Sequence, residues 1–250
     1  ITMSGMKLDT IGVPLEKVTD TLKNYANLSL AASWDNVGLL VEPTDTKIVS
    51  HILLTNDLTE DVMQEALSLK TDLIITYHPL IFAPMKSVTN RSWKERIVAK
   101  CLENKIAVYS PHTTFDSIKG GVNDWLASAF EHGKLQSYRS FKAEAVHLIK
   151  KRTNLQHVRL ARGNISTIAL CAGAGASLLK DVPADLYLTG EMLHHDILDA
   201  VHRGTSVVLT NHSDSERGFL KTFACTLYDA LDKSVKVSVS ERDSDPLKTV

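Results

Sequence analysis

Apolar positions along the chain follow two rhythms. Short runs of branched and aliphatic residues, bounded by polar or turn-forming residues, predict strands over 37–42, 51–56, 72–76, 106–110, 167–172, 185–189, 206–210 and 235–240. Between them, apolar residues three and four apart predict helices over 14–26, 59–69, 93–104, 122–130, 192–203 and 215–231. Thr59 and Ser215 stand before acidic residues at two of these starts, where an N-cap oxygen takes up an unpaired N–H. Strands alternating with helices predict an α/β protein, since a helix is the usual way back to a parallel neighbour.

The stretch 131–142 is polar, weakly periodic and contains Gly133, so 131–145 reads as a linker. The expected division is a lobe over 1–130 carrying His78 and Asp116, then that linker, then a lobe over 146–250 carrying His212 and Glu216. The halves echo one another. A strand and a helix lead to Asp72-Leu-Ile-Ile-Thr76 in the first and to Asp185-Leu-Tyr-Leu-Thr189 in the second. Two related α/β lobes are therefore expected, with the chemistry where strand C-terminal ends gather.

Composition changes this picture little. Hydrophobic residues at 44% and charged residues at 23% are ordinary for a globular chain. A formal net charge of −1 gives no electrostatic pull toward nucleic acid or an anionic membrane, and direct nucleic-acid binding is not expected. No apolar run approaches the roughly 20 residues of a spanning helix, and no segment reads as a secretory signal, so a cytoplasmic protein is expected. Cys101, Cys171 and Cys225 lie far apart without a CxxC pair, which predicts buried free thiols rather than disulfides or a cysteine zinc site.

Residues able to hold a metal fall at the ends of predicted strands. His78 follows 72–76, His112 and Asp116 follow 106–110, and His212 and Glu216 follow 206–210. A mixed imidazole and carboxylate set suits zinc, iron, manganese or a similar divalent ion, not a thiolate metal. If Ser213 or Ser215 caps the last helix, Glu216 sits in its first turn, one turn from His212. Glu191 and His195 are supporting candidates; His194 and His195 point about 100° apart on a helix, so at most one faces a site. The segment Gly173-Ala-Gly-Ala-Ser177 is either a tight strand-to-helix turn or an anion cradle of amides. Trp34, in Ser33-Trp-Asp-Asn-Val-Gly38, is either a packed core residue or a wall of a substrate pocket.

Six stretches carry a resemblance that spans nearly the whole chain. They are Ser33-Trp-Asp-Asn-Val-Gly-Leu-Leu-Val41, Leu54-Thr-Asn-Asp-Leu-Thr59, Thr76-Tyr-His-Pro-Leu-Ile-Phe82, Ser110-Pro-His-Thr-Thr-Phe-Asp116, Asp185-Leu-Tyr-Leu-Thr-Gly-Glu191 and Asn211-His-Ser-Asp-Ser-Glu-Arg-Gly218. In this order they resemble the NGG-interacting factor 3-like family, also described as GTP cyclohydrolase I type 2 homologues, in its eukaryotic-like branch. The resemblance implies two α/β lobes with a metal-binding cleft between them. It also implies metal ligands at His78, Asp116, His212 and Glu216, and a homo-oligomer, a dimer or larger. One position departs from the pattern: Tyr77 stands where the family's His-His-Pro motif has its first histidine. A phenol with an ordinary pKa of about 10 is a poor ligand at neutral pH, so one firm metal site and one weak site are expected.

Two functions follow. One is a metal-dependent hydrolase of a nucleotide-like substrate, with Glu216 and His112 as its catalytic groups. The other, implied by the resemblance, is a non-enzymatic protein of the cytoplasm and nucleus that acts in transcriptional corepression through partner proteins.

Overall fold

The computed structural model describes residues 12–45, 48–130 and 165–247. The strands are β1 (Val13–Pro14), β2 (Gly38–Val41), β3 (Ile48–Val49), β4 (His51–Thr55), β5 (Leu73–Thr76), β6 (Ala107–Ser110), β7 (Ile168–Cys171), β8 (Leu186–Thr189), β9 (Ser206–Leu209) and β10 (Lys236–Val239). The α-helices are α1 (Leu15–Tyr25), α2 (Glu60–Ser68), α3 (Trp93–Glu103), α4 (Thr113–Asp116), α5 (Val122–Ala127), α6 (Ala176–Leu179), α7 (His194–His202) and α8 (Phe219–Ala230). Each strand expected from the pattern is present, trimmed by a residue or so where the ladder ends.

The chain divides into two compact units that are discontinuous in sequence. The first takes Ile1–Thr114 and Lys221–Ser244, the second Phe115–Leu220 and Asp245–Val250. This differs from a contiguous split after residue 130, because β10 pairs in parallel with β4 and so belongs to the first unit's sheet. The linker expected over 131–145 lies outside the described residues.

The first unit's sheet runs β10-β4-β5-β6-β2, parallel except for the antiparallel edge strand β2. All five residues of β4 are buried, as a central strand covered on both faces requires. Register sets Leu53 beside Ile74 and Ile74 beside Val108. These three pack with Val62, Met63 and Ala66 of α2 and Ile97, Val98 and Cys101 of α3 in one core. Helix α2 begins where Thr59 Oγ1 accepts the Val62 N–H at 3.3 Å, the cap expected from its sequence. The second unit's sheet is β7-β8-β9, fully parallel, with Cys171, Leu179, Tyr187, Ala200 and Val207 in its core.

The echo between the halves is a structural repeat. Both units contain three successive parallel strands, β4-β5-β6 and β7-β8-β9, joined by helical crossovers. The same carboxylate device sets each first ladder. Asp72 Oδ2 accepts the Ser50 and His51 N–H groups at 2.8 and 3.0 Å. Asp185 Oδ2 accepts the Ser166 and Thr167 N–H groups, both at 2.8 Å, and these donors hold its carboxyl below the ordinary value.

Buried His51 is a structural residue. Its Nδ1 lies 3.2 Å from the Leu69 carbonyl oxygen and its Nε2 2.6 Å from Ser238 Oγ, a pattern the neutral ring satisfies. Burial pushes its pKa below the ordinary histidine value, so the unfolded chain binds this proton more readily than the folded one. Its contribution is complete above the unfolded pKa of about 6.5 and falls as pH drops through that value toward the lower folded one. Urea unfolding at about pH 7.5 and about pH 5.5 should show a loss of stability that His51→Gln reduces. An unchanged pH dependence in the variant would remove His51 as its source.

Candidate functional site

The loops leaving the C-terminal ends of the parallel strands carry the candidate residues in each unit. In the first unit, the turn after β5 carries Tyr77 and His78, and the turn after β6 carries His112. His78 Nδ1 meets Asp57 Oδ1 at 2.9 Å, and the His78 N–H donates to the Asn56 carbonyl at 3.0 Å. A carboxylate on Nδ1 favours the tautomer with its proton there and leaves Nε2 as the ligating atom. His112 Nδ1 is held in the same way by Asp35 Oδ1, at 2.7 Å. The Asp35 side chain is fully buried. Burial works against its charge, but the donors His112, Thr113 and the Asn36 N–H outweigh it and hold the carboxyl below its ordinary value.

His78 and His112 lie ring to ring, with centroids 5.4 Å apart. Tyr77 is buried and sets its ring edge-on to both, at 5.3 and 5.9 Å. Trp34 is not a core residue: it is 62% exposed and meets Phe82 and His112 at centroid distances of 6.0 and 5.9 Å.

The second unit carries Asp116, His212 and Glu216. Glu191 Oε1 meets His212 Nδ1 at 2.8 Å, which turns Nε2 toward the other side of the ring. There Nε2 lies 3.3 Å from Oε1 of Glu216, a residue only 3% exposed. Asp116 lies near the same ground: burial raises the Cys171 thiol to about 11, with Asp116 and Glu216 adding negative field.

The local backbone differs from the expected helix. His212 leads into a 3₁₀ turn, Ser213–Ser215, and α8 starts only at Phe219, so Glu216 closes that turn instead of opening the helix. Ser215 does not cap α8; its Oγ donates to the His212 carbonyl at 2.6 Å and accepts the Gly173 N–H at 2.8 Å. The tight chain reversal after β9 lets an imidazole and a carboxylate four residues apart converge without helical geometry.

Gly173 is the other wall of this pair. With φ at +65°, its position is left-handed, and a Cβ there would come 2.5 Å from Glu216 Oε1 and 3.1 Å from His212 Nε2. The Gly173 amide is taken by Ser215, and the Gly175 amide donates to Thr189 Oγ1 at 2.9 Å. The segment is therefore the tight turn, its first amides committed to the fold and not to an anion. His194 and His195 are exposed on α7, and Cys225 is exposed, unlike the buried Cys101 and Cys171.

The structure unites His78 with His112, and His212 with Glu216, within their units. The partners that sequence reading missed are Asp57 and, as the carboxylate holding His112, Asp35. The signal for Asp57 was its place directly after a strand end, where His78 was already suspected.

An α/β protein of two β-α-β-α-β units, with carboxylate-held histidines at strand C-terminal ends, is the class these features define. The family model for Duf34/NIF3 (NGG1p interacting factor 3) matches residues 13–246, and the chain belongs to this family. It is 46% identical over 263 residues to NIF3-like protein 1 of Drosophila melanogaster, covering 96% of this chain and 90% of the relative. It is 32% identical over 278 residues to NGG1-interacting factor 3 of Saccharomyces cerevisiae, covering 93% and 96%. The crystal structure of a Bacillus cereus protein related to NIF3 superposes with a TM-score of 0.81 at 20% identity, covering 95% and 99%, which establishes likeness of fold.

Two glycines at positive φ separate backbone strain from crowding. Gly120, at +76°, has nothing within 4 Å of an added Cβ, whereas Gly173 meets the His212–Glu216 pair. Gly120→Ala should cost about 1 kcal/mol for the left-handed turn alone. Gly173→Ala should cost about 2 kcal/mol or more, because a buried side chain must also move. Equal losses in denaturant titration would show that the pair does not press on Gly173.

Proposed function

We propose that this chain binds a divalent metal ion through His78, Asp116, His212 and Glu216 and hydrolyses a nucleotide-like substrate. The observation that carries the reading is the His212–Glu216 pair. A carboxylate oxygen of a residue 3% exposed and an imidazole nitrogen stand 3.3 Å apart, as two donors to one ion would. Imidazole nitrogen beside carboxylate oxygen is the donor chemistry that zinc, iron or manganese accepts, so the residues fit such an ion. The carboxylates on Nδ1 of His78 and His212 support the same reading, since ligating histidines are commonly held this way.

A divalent ion supplies Lewis acidity, polarising a substrate oxygen and easing loss of a proton from water. The chain's own contribution is orientation and proton handling. Asp35 fixes His112 with Nδ1 occupied, leaving Nε2 to take a proton and return it. Glu216 is the carboxylate that this reading assigns to the reacting centre. Tyr77 stands at a ligand position of the family pattern, which favours one firm metal site and a weak second one. The reading includes a homo-oligomer and a cytoplasmic protein.

A second reading is an interaction protein of cytoplasm and nucleus that acts in transcription through a protein partner. The name of the yeast relative, NGG1-interacting factor 3, is what favours it. Among the described residues no helix is long and apolar enough to cross a membrane.

Elemental analysis of gently purified protein should find about one metal ion per chain, rising toward about two in Tyr77→His. Glu216→Gln should lower both metal content and turnover, and Glu191→Gln should weaken metal affinity by about 10-fold to 100-fold. Absence of metal in every form after reconstitution would sink the ligand assignment. Intact partner binding in Glu216→Gln with no turnover in any form would favour the second reading.

A further inference from the structure

Beside His112 the first unit leaves two large apolar rings in solvent. Trp34 is 62% exposed and Phe82 46% exposed, and their planes open at 56° with centroids 6.0 Å apart. Exposed aromatic rings are often mobile and unspecific, but these stand on loops that are tied together. Buried Asp35, next to Trp34, accepts from Thr113 Oγ1 and the Thr113 N–H, and meets His112 Nδ1 at 2.7 Å. Asn36 Nδ2 donates to the Ile81 carbonyl, next to Phe82. The two residues that follow Trp34 thus bind the Phe82 loop on one side and the His112 loop on the other.

His112 completes the arrangement. Its ring stands nearly edge-on to both aromatics, at centroid distances of 5.9 Å to Trp34 and 6.4 Å to Phe82. Its own backbone is left-handed, with φ at +35°, a conformation that costs a non-glycine residue energy and is retained where the surroundings impose it. With Nδ1 engaged by Asp35, the polar atom left to His112 is Nε2.

We propose that Trp34, Phe82 and His112 form a subsite for a flat heteroaromatic ring of the nucleobase type, stacked on Trp34 and hydrogen-bonded by His112. The inference rests on the nucleotide-like substrate of the preceding reading and specifies where its ring lies. Two features select this occupant. Stacking on an indole suits any planar π-system, and a single fixed imidazole nitrogen reads one polar ring edge. A formal net charge of −1 gives a polyanion no general attraction, which favours a small molecule over a nucleic-acid strand.

The test is titration of the full chain with adenosine, and with ribose as a ring-less control, followed by tryptophan fluorescence and calorimetry. Adenosine should bind saturably and ribose should not. Trp34→Ala should weaken binding about tenfold or more, while Trp34→Phe should retain most of it. Phe82→Leu should weaken it severalfold. Circular dichroism confirms that the variants fold. No saturable binding of adenosine, uridine or a pteridine would overturn the subsite. So would a change of oligomeric state in Trp34→Ala with ring affinity unaltered, since the rings would then be a protein contact. Metal content measured on the same samples separates the two readings: ring binding without metal supports the subsite and removes the metal site. Metal without ring binding does the reverse.

Discussion

In each unit one carboxylate oxygen at the head of the middle strand accepts two backbone N–H groups from the head of the strand beside it. Asp72 does this for Ser50 and His51, and Asp185 for Ser166 and Thr167. In the first unit, where these bonds are partly buried, a donor left unpaired would cost roughly 1–3 kcal/mol; in both units a charged acceptor makes a stronger bond than a neutral one, so the pairing resists slippage. A slip of one residue in the first unit would turn Leu53, Ile74 and Val108 out of their shared core. Because the strands so registered are parallel, their C-terminal ends emerge together within each unit.

The loops at those ends then inherit comparable geometry. Counting from the register pairs Ile75–Tyr109 and Leu188–Val208, His112 and Asn211 hold equivalent places, and both are left-handed, at φ +35° and +61°. The same sharp turn after the third strand therefore presents His112 in one unit and leads into His212 in the other. The histidine–carboxylate pairs, however, are not at equivalent positions. In the first unit His78, after the second strand, is held by Asp57 after the first; in the second unit His212, after the third strand, is held by Glu191 after the second. The repeat supplies the rim, and each unit places its pair one strand apart along it.

Small and apolar groups define what each pair can do as much as the polar ones. Gly173 exists as glycine because a side chain would displace Glu216 or His212. Tyr77 fills space beside two imidazoles with a ring whose volume suits the core but whose phenol is a weak ligand. Burial raises Cys101 to about 12 and Cys171 to about 11, which keeps both as thiols that pack and do not react.

Strands, most helices and the internal echo were legible in the sequence because each rests on a local pattern: a short bounded apolar run for a strand, a period of 3.6 for a helix, and Asp-Leu-x-x-Thr repeated once. The places of the suspected donors, at strand ends, were legible for a related reason, since a parallel strand's end is a place that chain order reveals. Tertiary structure decided what depends on partners far apart in the chain. Only packing shows that β10 returns to pair with β4, that Asp35 holds His112 across 77 residues, and that Trp34 stays in solvent instead of the core. It also replaced an expected helical turn at Ser215 with a 3₁₀ turn, because Ser215 bonds Gly173 and not the start of α8. Local propensity weighs one residue at a time, whereas these outcomes were settled by hydrogen bonds and contacts that exist only once the chain has folded.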